Sequence, residues 1–268
     1  MSSRAKSATG RIARRILSDS MLKSMVKSIE AIRSRLHPVD PLTVESRFSI
    51  IGSLENLARN NLQPGAVLDV GANVGDWTRA ARPFFPEARF LMVEAQADKT
   101  DQLGKLAAGD KGIDFEICLL GAQNDEAVPF YKVTVGGGSG SSMFPEKTQF
   151  PRSTIRLPMR RLDDVVAAHH LPRPFLLKLD VEGAELQVLQ GATNTLRMTD
   201  VILSEVSLLA YNNGAPLVTE VMQFLDAAGF VLYDISGGLR RASDKAMFRA
   251  DLVFVRKDHP LRHDKPFW

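Results

Sequence analysis

Val67-Leu68-Asp69-Val70-Gly71-Ala72-Asn73-Val74-Gly75 is the stretch on which the fold turns. An apolar run ends in an acid, bends through two glycines and enters a segment of helical pattern. In nucleotide-binding α/β sheets, glycines at such a turn let the backbone approach a ligand at the carboxyl edge, beside a helix N-terminus. The spacing narrows the ligand. Dinucleotide loops follow Gly-x-Gly-x-x-Gly, whereas here three residues separate Gly71 from Gly75 and Asn73 stands where a second glycine belongs. Asp69 suits a ligand with a cationic tail better than one with phosphates.

S-adenosylmethionine has that character, with a positive sulfonium and a positive α-amino group. The next apolar strand, Phe90-Leu91-Met92-Val93-Glu94, ends in an acid. It falls about 20 residues beyond the glycines, where a carboxylate can accept both ribose hydroxyls. Glu94 is therefore the candidate ribose ligand.

Outward from this loop the chain alternates. Strands are expected at 66–70, 89–93, 113–120, 175–179 and 201–206, with helices at 46–60, 76–85, 99–108, 184–190 and 217–228. Repeated strand–helix units of this length imply a mostly parallel sheet with helices on both faces. Two closing strands, 230–235 and 252–255, are joined too closely for a helical crossover, so an antiparallel hairpin is expected there. Residues 127–164 break the pattern: the flexible run Gly136 to Ser142 lies between strand-like segments, an insertion expected over the carboxyl edge of the sheet.

A second acidic segment, Leu177-Lys178-Leu179-Asp180-Val181-Glu182-Gly183-Ala184-Glu185, follows a later apolar strand. Asp180 falls at the strand's carboxyl end, and Gly183 permits a sharp corner. Glu185 has a structural explanation in the first turn of a helix. Ile202-Leu203-Ser204-Glu205-Val206 sets another acid near a strand end. If the two strands are neighbours, Asp180 and Glu205 converge. They can hold a divalent cation such as Mg²⁺ through oxygen ligands, or one of them can take the proton of a substrate hydroxyl. Lys178, beside Asp180, pairs with a carboxylate or touches substrate; both readings stay open. His169-His170 closes a helical stretch, where the helix dipole explains it, and Trp77 and Tyr211 read as packing residues.

Asp69-Val70-Gly71-Ala72-Asn73-Val74-Gly75, Val93-Glu94, Leu162-Asp163-Asp164, Lys178 to Glu185, Leu189-Gln190-Gly191-Ala192 and Glu205-Val206 together resemble the FkbM family of methyltransferases, from about Leu62 to Lys257. The resemblance implies a class I methyltransferase fold, a Rossmann-like seven-stranded sheet, and O-methylation of hydroxyls on sugars, glycans or natural products. It implies that Asp69, Gly71, Asn73 and Gly75 hold the methionine part of the donor, that Glu94 holds the ribose, and that Asp180 and Glu182 line the transfer site. Ala95-Gln96 departs from the family, which often has proline after the acid.

The rest of the composition bounds partners. The single cysteine, Cys118, excludes an internal disulfide and any cysteine-rich metal site; it reads as a buried thiol. Residues 1–40 carry nine basic and three acidic side chains, so the overall net charge of +3 leaves −3 for everything after them. A nucleic-acid surface spread over the fold is not what this distribution points to. Apolar residues from Ile12 to Leu36 recur at helical spacing, so residues 1–42 read as a basic amphipathic extension to a methyltransferase domain at 43–268. That helix packs on its own domain or a second subunit, or lies on an anionic membrane surface.

No secretory signal or membrane span is evident, and a cytoplasmic protein, with peripheral membrane contact left open, is the expectation. Two rivals remain. A nucleic-acid methyltransferase would use the basic helix, but no Asn/Asp-Pro-Pro-aromatic motif follows Leu177–Asp180. A donor-binding scaffold would lack turnover, against which the acids at both strand ends argue.

Overall fold

The computed structural model describes residues 49–147 and 150–263. Strands β1 (Ala66–Val70), β2 (Arg89–Glu94) and β3 (Ile113–Ile117) lie beside β7 (Phe175–Leu179), β8 (Thr199–Ser207), β9 (Phe230–Arg240) and β10 (Met247–Arg256), in the order β3-β2-β1-β7-β8-β10-β9. Every residue of β1 and β7 is buried. Central parallel strands are covered on both faces, which is why both read as near-continuous apolar runs.

The alternation of side chains separates two cores. Leu68, Val70, Leu177 and Leu179 pack with Leu162, Val165, Val188, Leu196 and Leu225. These come from α4 (Leu162–His169), α5 (Glu185–Gln190), α6 (Thr193–Arg197) and α7 (Val218–Ala227). On the opposite face Val67, Phe90, Met92 and Leu176 pack with Leu54, Leu57, Ala81 and Leu103, from α1 (Ile50–Arg59), α2 (Asp76–Ala81) and α3 (Thr100–Gly109). Each fully buried leucine or phenylalanine contributes about 1.5–3 kcal/mol through burial alone. Helices thus cover both faces, as the alternation of the sequence requires.

Three expectations are corrected. The apolar run 113–120 is not one strand: Cys118 N–H donates to the carbonyl of Glu94 (2.9 Å), and β4 (Leu119–Leu120) leaves the main sheet. It pairs with β6 (Arg152–Arg160), which also carries β5 (Asp125–Val133) in a three-stranded sheet. The closing strands are longer than expected because register shifts, including one between Asp251 and Leu252, break the alternation. The hairpin is antiparallel as expected, and β10 sits between β8 and β9. Helix α6 was not expected from periodicity. Asp163 makes it, accepting from the N–H groups of Asn194 and Thr195 (2.8–3.0 Å) and from the Thr195 hydroxyl (2.9 Å). The amphipathic helix expected within residues 1–42 lies outside the described residues. Among the described residues no helix is long and apolar enough to cross a membrane.

Candidate active site

The carboxyl ends of β1, β2, β7 and β8 open onto one cavity of about 210 Å³, lined at one end by Gly71, Asn73, Glu94 and Gln96 and at the other by Asp180, Glu182, Glu205 and Arg249. Between them Cys118, Leu119, Phe130 and Met143 supply an apolar wall. Burial pushes the Cys118 thiol up to about 12, so it stays protonated.

The first end is built by backbone geometry. Gly71 has φ +79°, and a Cβ there would stand 1.9 Å from the carbonyl oxygen of Asp180, so no other residue fits. The N–H groups of Gly71 and Ala72 both donate to Val93 O (2.9 and 3.1 Å), stapling the loop to β2. Asn73 N–H donates to Glu94 Oε2 (2.8 Å) and Gln96 N–H to Glu94 Oε1 (2.9 Å). Each carboxylate oxygen is thereby fixed by one donor and keeps a lone pair for a ligand. Asn73 Oδ1 is buried without a partner, and among the described residues no lysine or arginine lines this end. Acceptors without cations suit a ligand that brings donors and no phosphate. S-adenosylmethionine, with ribose hydroxyls and an ammonium group, fits that set.

Three expected contacts lie elsewhere. Asp69 is fully buried beneath the loop and does not line the cavity. It accepts from Thr78 Oγ1 (2.7 Å) and faces Lys178 Nζ at 3.0 Å. Gly75 packs against α3, where a Cβ would meet Leu106 at 2.8 Å. Lys178, open to pairing with a carboxylate or to touching substrate, does the first and is buried under the site: its ammonium also donates to Gly71 O (3.1 Å) and lies 3.4 Å from Asp180. Burial pulls its pKa down, but Asp69 and Asp180 outweigh burial and hold it above the ordinary lysine value. A permanently charged, fully partnered lysine is no proton acceptor, so it positions Asp180 instead. Spacing along the sequence cannot tell a side chain pointing into a cleft from one bracing it from below.

At the second end Asp180 is fixed through its N–H on Val70 O (3.0 Å), and its side chain is 43% exposed toward the cavity. Glu182 holds a left-handed conformation, φ +54°. Its carbonyl accepts from Ser142 Oγ (2.7 Å) and Asn212 Nδ2 (2.6 Å), and its carboxylate from Tyr211 Oη (2.7 Å) and Arg249 Nη1 (2.5 Å). Arg249 Nη1 also donates to Glu205 (2.7 Å). Burial raises Glu182, and burial with the nearby charges of Asp180 and Glu182 raises Glu205 to about 9. Asp180 and Glu205 converge, since β7 and β8 are neighbours. Together with Glu182 their ligand atoms lie within 4.8 Å of one another, a geometry open to a metal ion. The Arg249 guanidinium already bridges two of the three.

Arg249 and Ser142 have no sequence motif; Tyr211 read only as packing. Arg249 is a lone basic residue before the recognisable part of β10, and only the register setting it opposite Ser207, two positions from the Asp251–Glu205 pair, aims it here. Segment 127–164 makes contacts with residues of this edge. Lys99 Nζ donates to Gly137 O (2.5 Å), Gln96 Nε2 to Gly138 O (3.3 Å), and Ser142 to Glu182. His169 ends α4 and faces Asp114 and Glu116 (3.2 and 3.4 Å), away from the cavity lining.

The model of the methyltransferase FkbM domain matches residues 69–232. A stretch of 44 residues is 41% identical to the hexuronic acid methyltransferase AglP of Haloferax volcanii, covering 16% of this chain and 18% of that protein. Among solved structures, methyltransferase FkbM from Methylobacillus flagellatus KT is similar with a TM-score of 0.46 and 17% identity, over 73% of this chain and 45% of that one. The magnesium protoporphyrin IX methyltransferase ChlM of Synechocystis PCC 6803, with bound SAM, gives 0.41 and 12%, over 77% and 76%.

Proposed function

Since this chain belongs to the FkbM methyltransferase family and is an S-adenosylmethionine-dependent enzyme, we propose that it methylates a hydroxyl of a sugar, glycan or natural product, with Asp180 as the proton acceptor. The observation that carries this reading is the single cavity joining Gly71, Asn73 and Glu94 to the exposed carboxylate of Asp180. Methyl transfer by in-line displacement is chiefly a positioning task. When bound, S-adenosylmethionine supplies a methyl group made electrophilic by its sulfonium. Glu94 and Asn73 would hold the donor by accepting hydrogen bonds. Asp180 takes the hydroxyl proton as the new O–C bond forms and the methyl–sulfur bond breaks, and Lys178 holds Asp180 in place. The short match to a hexuronic acid methyltransferase agrees with a sugar acceptor.

We assign Glu182 and Glu205 to Arg249 rather than to a divalent cation, because a guanidinium hydrogen-bonded to both supplies the positive charge a metal would bring. The basic segment 1–42 remains our candidate for contact with a second subunit or an anionic membrane surface.

Labelled methyl donor incubated with glycan and small-molecule extracts tests the reading. It expects label in ether linkages that survive mild alkali. Label confined to alkali-labile esters or to amines would contradict hydroxyl transfer.

A further inference from the structure

Resting on the hydroxyl-transfer reading, we infer that the acceptor carries a carboxylate near its reactive hydroxyl and that Arg249 receives it, which makes Arg249 the residue that selects the acceptor. Arg249 lines the second end of the cavity together with Asp180. It meets Glu182 and Glu205 through Nη1 alone (2.5 and 2.7 Å). Its Nε is buried without a partner, and among the described residues no carboxylate takes the edge that Nε shares with Nη2. That edge is the planar fork with which a guanidinium grips a carboxylate through two parallel hydrogen bonds. A buried donor on a charged group is costly to leave unpaired, so an oxygen supplied by a ligand stabilises this arrangement. A hydroxyl oxygen would meet one of the two donors, whereas a carboxylate meets both and answers the charge.

The electrostatics of this end admit an anion. Burial and the charges of Asp180 and Glu182 push the Glu205 carboxyl up to about 9, and burial raises Glu182 as well. A protonated glutamic acid still accepts the Nη1 hydrogen bond but neutralises nothing, so the guanidinium keeps positive charge to spare. Asp180 has its own counter-ion in Lys178 (3.4 Å). The fork is also held in place, because the Arg249 guanidinium lies beside the rings of Tyr211 and Phe248, 5.5 Å from each centroid. Donors fixed before the ligand arrives lower the ordering cost of binding. The proposed donor residues Gly71, Asn73 and Glu94 line the opposite end of the cavity, so the group that meets Arg249 comes from the acceptor.

Calorimetry on the full chain saturated with S-adenosylhomocysteine tests this, with the methyl glycosides of glucose, of glucuronic acid and of glucuronic acid methyl ester as probes. The parent should bind the acid at least tenfold tighter than either neutral probe. Arg249→Lys keeps the charge without the fork. It should cut that preference at least fivefold and change S-adenosylhomocysteine affinity less than threefold. Acid bound no tighter than the neutral sugars overturns the inference and leaves the sugar reading intact, as does a preference unchanged in Arg249→Lys. Loss of S-adenosylhomocysteine affinity in the folded variant overturns it too, because the fork would then serve the donor's own carboxylate. The comparison of probes on the parent stands even where the variant fails to fold. Failure of all three probes to bind, with S-adenosylhomocysteine still bound, overturns this inference and the sugar reading together.

Discussion

Lys178 Nζ lies 3.0 Å from Asp69 Oδ1, and the two residues face each other in register on β1 and β7 at the buried centre of the sheet. The same ammonium reaches the carbonyl of Gly71 and the carboxylate of Asp180. One cation therefore ties the proposed donor loop to the proposed proton acceptor.

That tie has a stability consequence. Lys178→Met would leave Asp69 buried beside no cation, and breaking a buried pair from one side costs about 3–5 kcal/mol. Replacing both partners, with Asp69→Asn added, should recover part of that loss. Urea unfolding of the single and double variants checks it; a single variant as stable as the parent would show that the pair is not coupled.

Gly71→Ala should weaken donor binding at least tenfold. Its Cβ would collide with the carbonyl of Asp180 at 1.9 Å in a backbone of φ +79°, and a residue forced into that region costs about 1 kcal/mol or more before the clash is counted. Gly109→Ala, where a Cβ meets nothing within 4 Å, is the control. Calorimetric titration with S-adenosylhomocysteine separates the two, and equal affinities would contradict the role of Gly71.

Glu185 sets a pH dependence. Burial raises its carboxyl from 4.5 to about 7, although it accepts from the N–H groups of Val181 (3.1 Å) and Gly183 (3.2 Å). A carboxyl raised in the folded state keeps its proton there after the unfolded chain has lost it. Its contribution is full below about 4.5 and is lost as pH rises through about 7, a swing of about 3 kcal/mol. Glu185→Gln should flatten the fall in stability between those values. Denaturant midpoints measured across that range would show parallel curves if Glu185 did not titrate.

Removal of divalent cations should leave turnover within twofold, because Arg249 bridges Glu182 and Glu205. Assays with and without EDTA check this. A large loss restored by Mg²⁺ would mean that a metal displaces the guanidinium, and Arg249→Met should then bind metal more tightly.

The central part of this fold was legible because β1 and β7 are buried on both faces and so carry unbroken apolar runs. Their flanking glycines marked the turns. The geometry of the proposed donor end was legible because Gly71, Asn73 and Glu94 are consecutive features of one strand–loop–strand unit. The acceptor end could be read only by half. Asp180 and Glu205 sit at strand ends, but Arg249 and Tyr211 reach the site across β10 and the loop after β8. Long-range register, interrupted by bulges, decides that convergence. Direction also escaped the sequence: Asp69 and Lys178 share the site's motifs yet brace it from beneath, because side-chain alternation turns them toward the core face holding Trp77.

The most direct measurement compares Asp180→Asn with the parent for donor binding and for turnover on the same acceptor. Asp180 is the cavity's exposed carboxylate, and loss of a general base removes typically 10²–10⁴-fold of the rate. The account predicts turnover reduced by at least a hundredfold with S-adenosylhomocysteine affinity changed less than threefold. Turnover within tenfold of the parent would contradict the assignment of Asp180 as the proton acceptor.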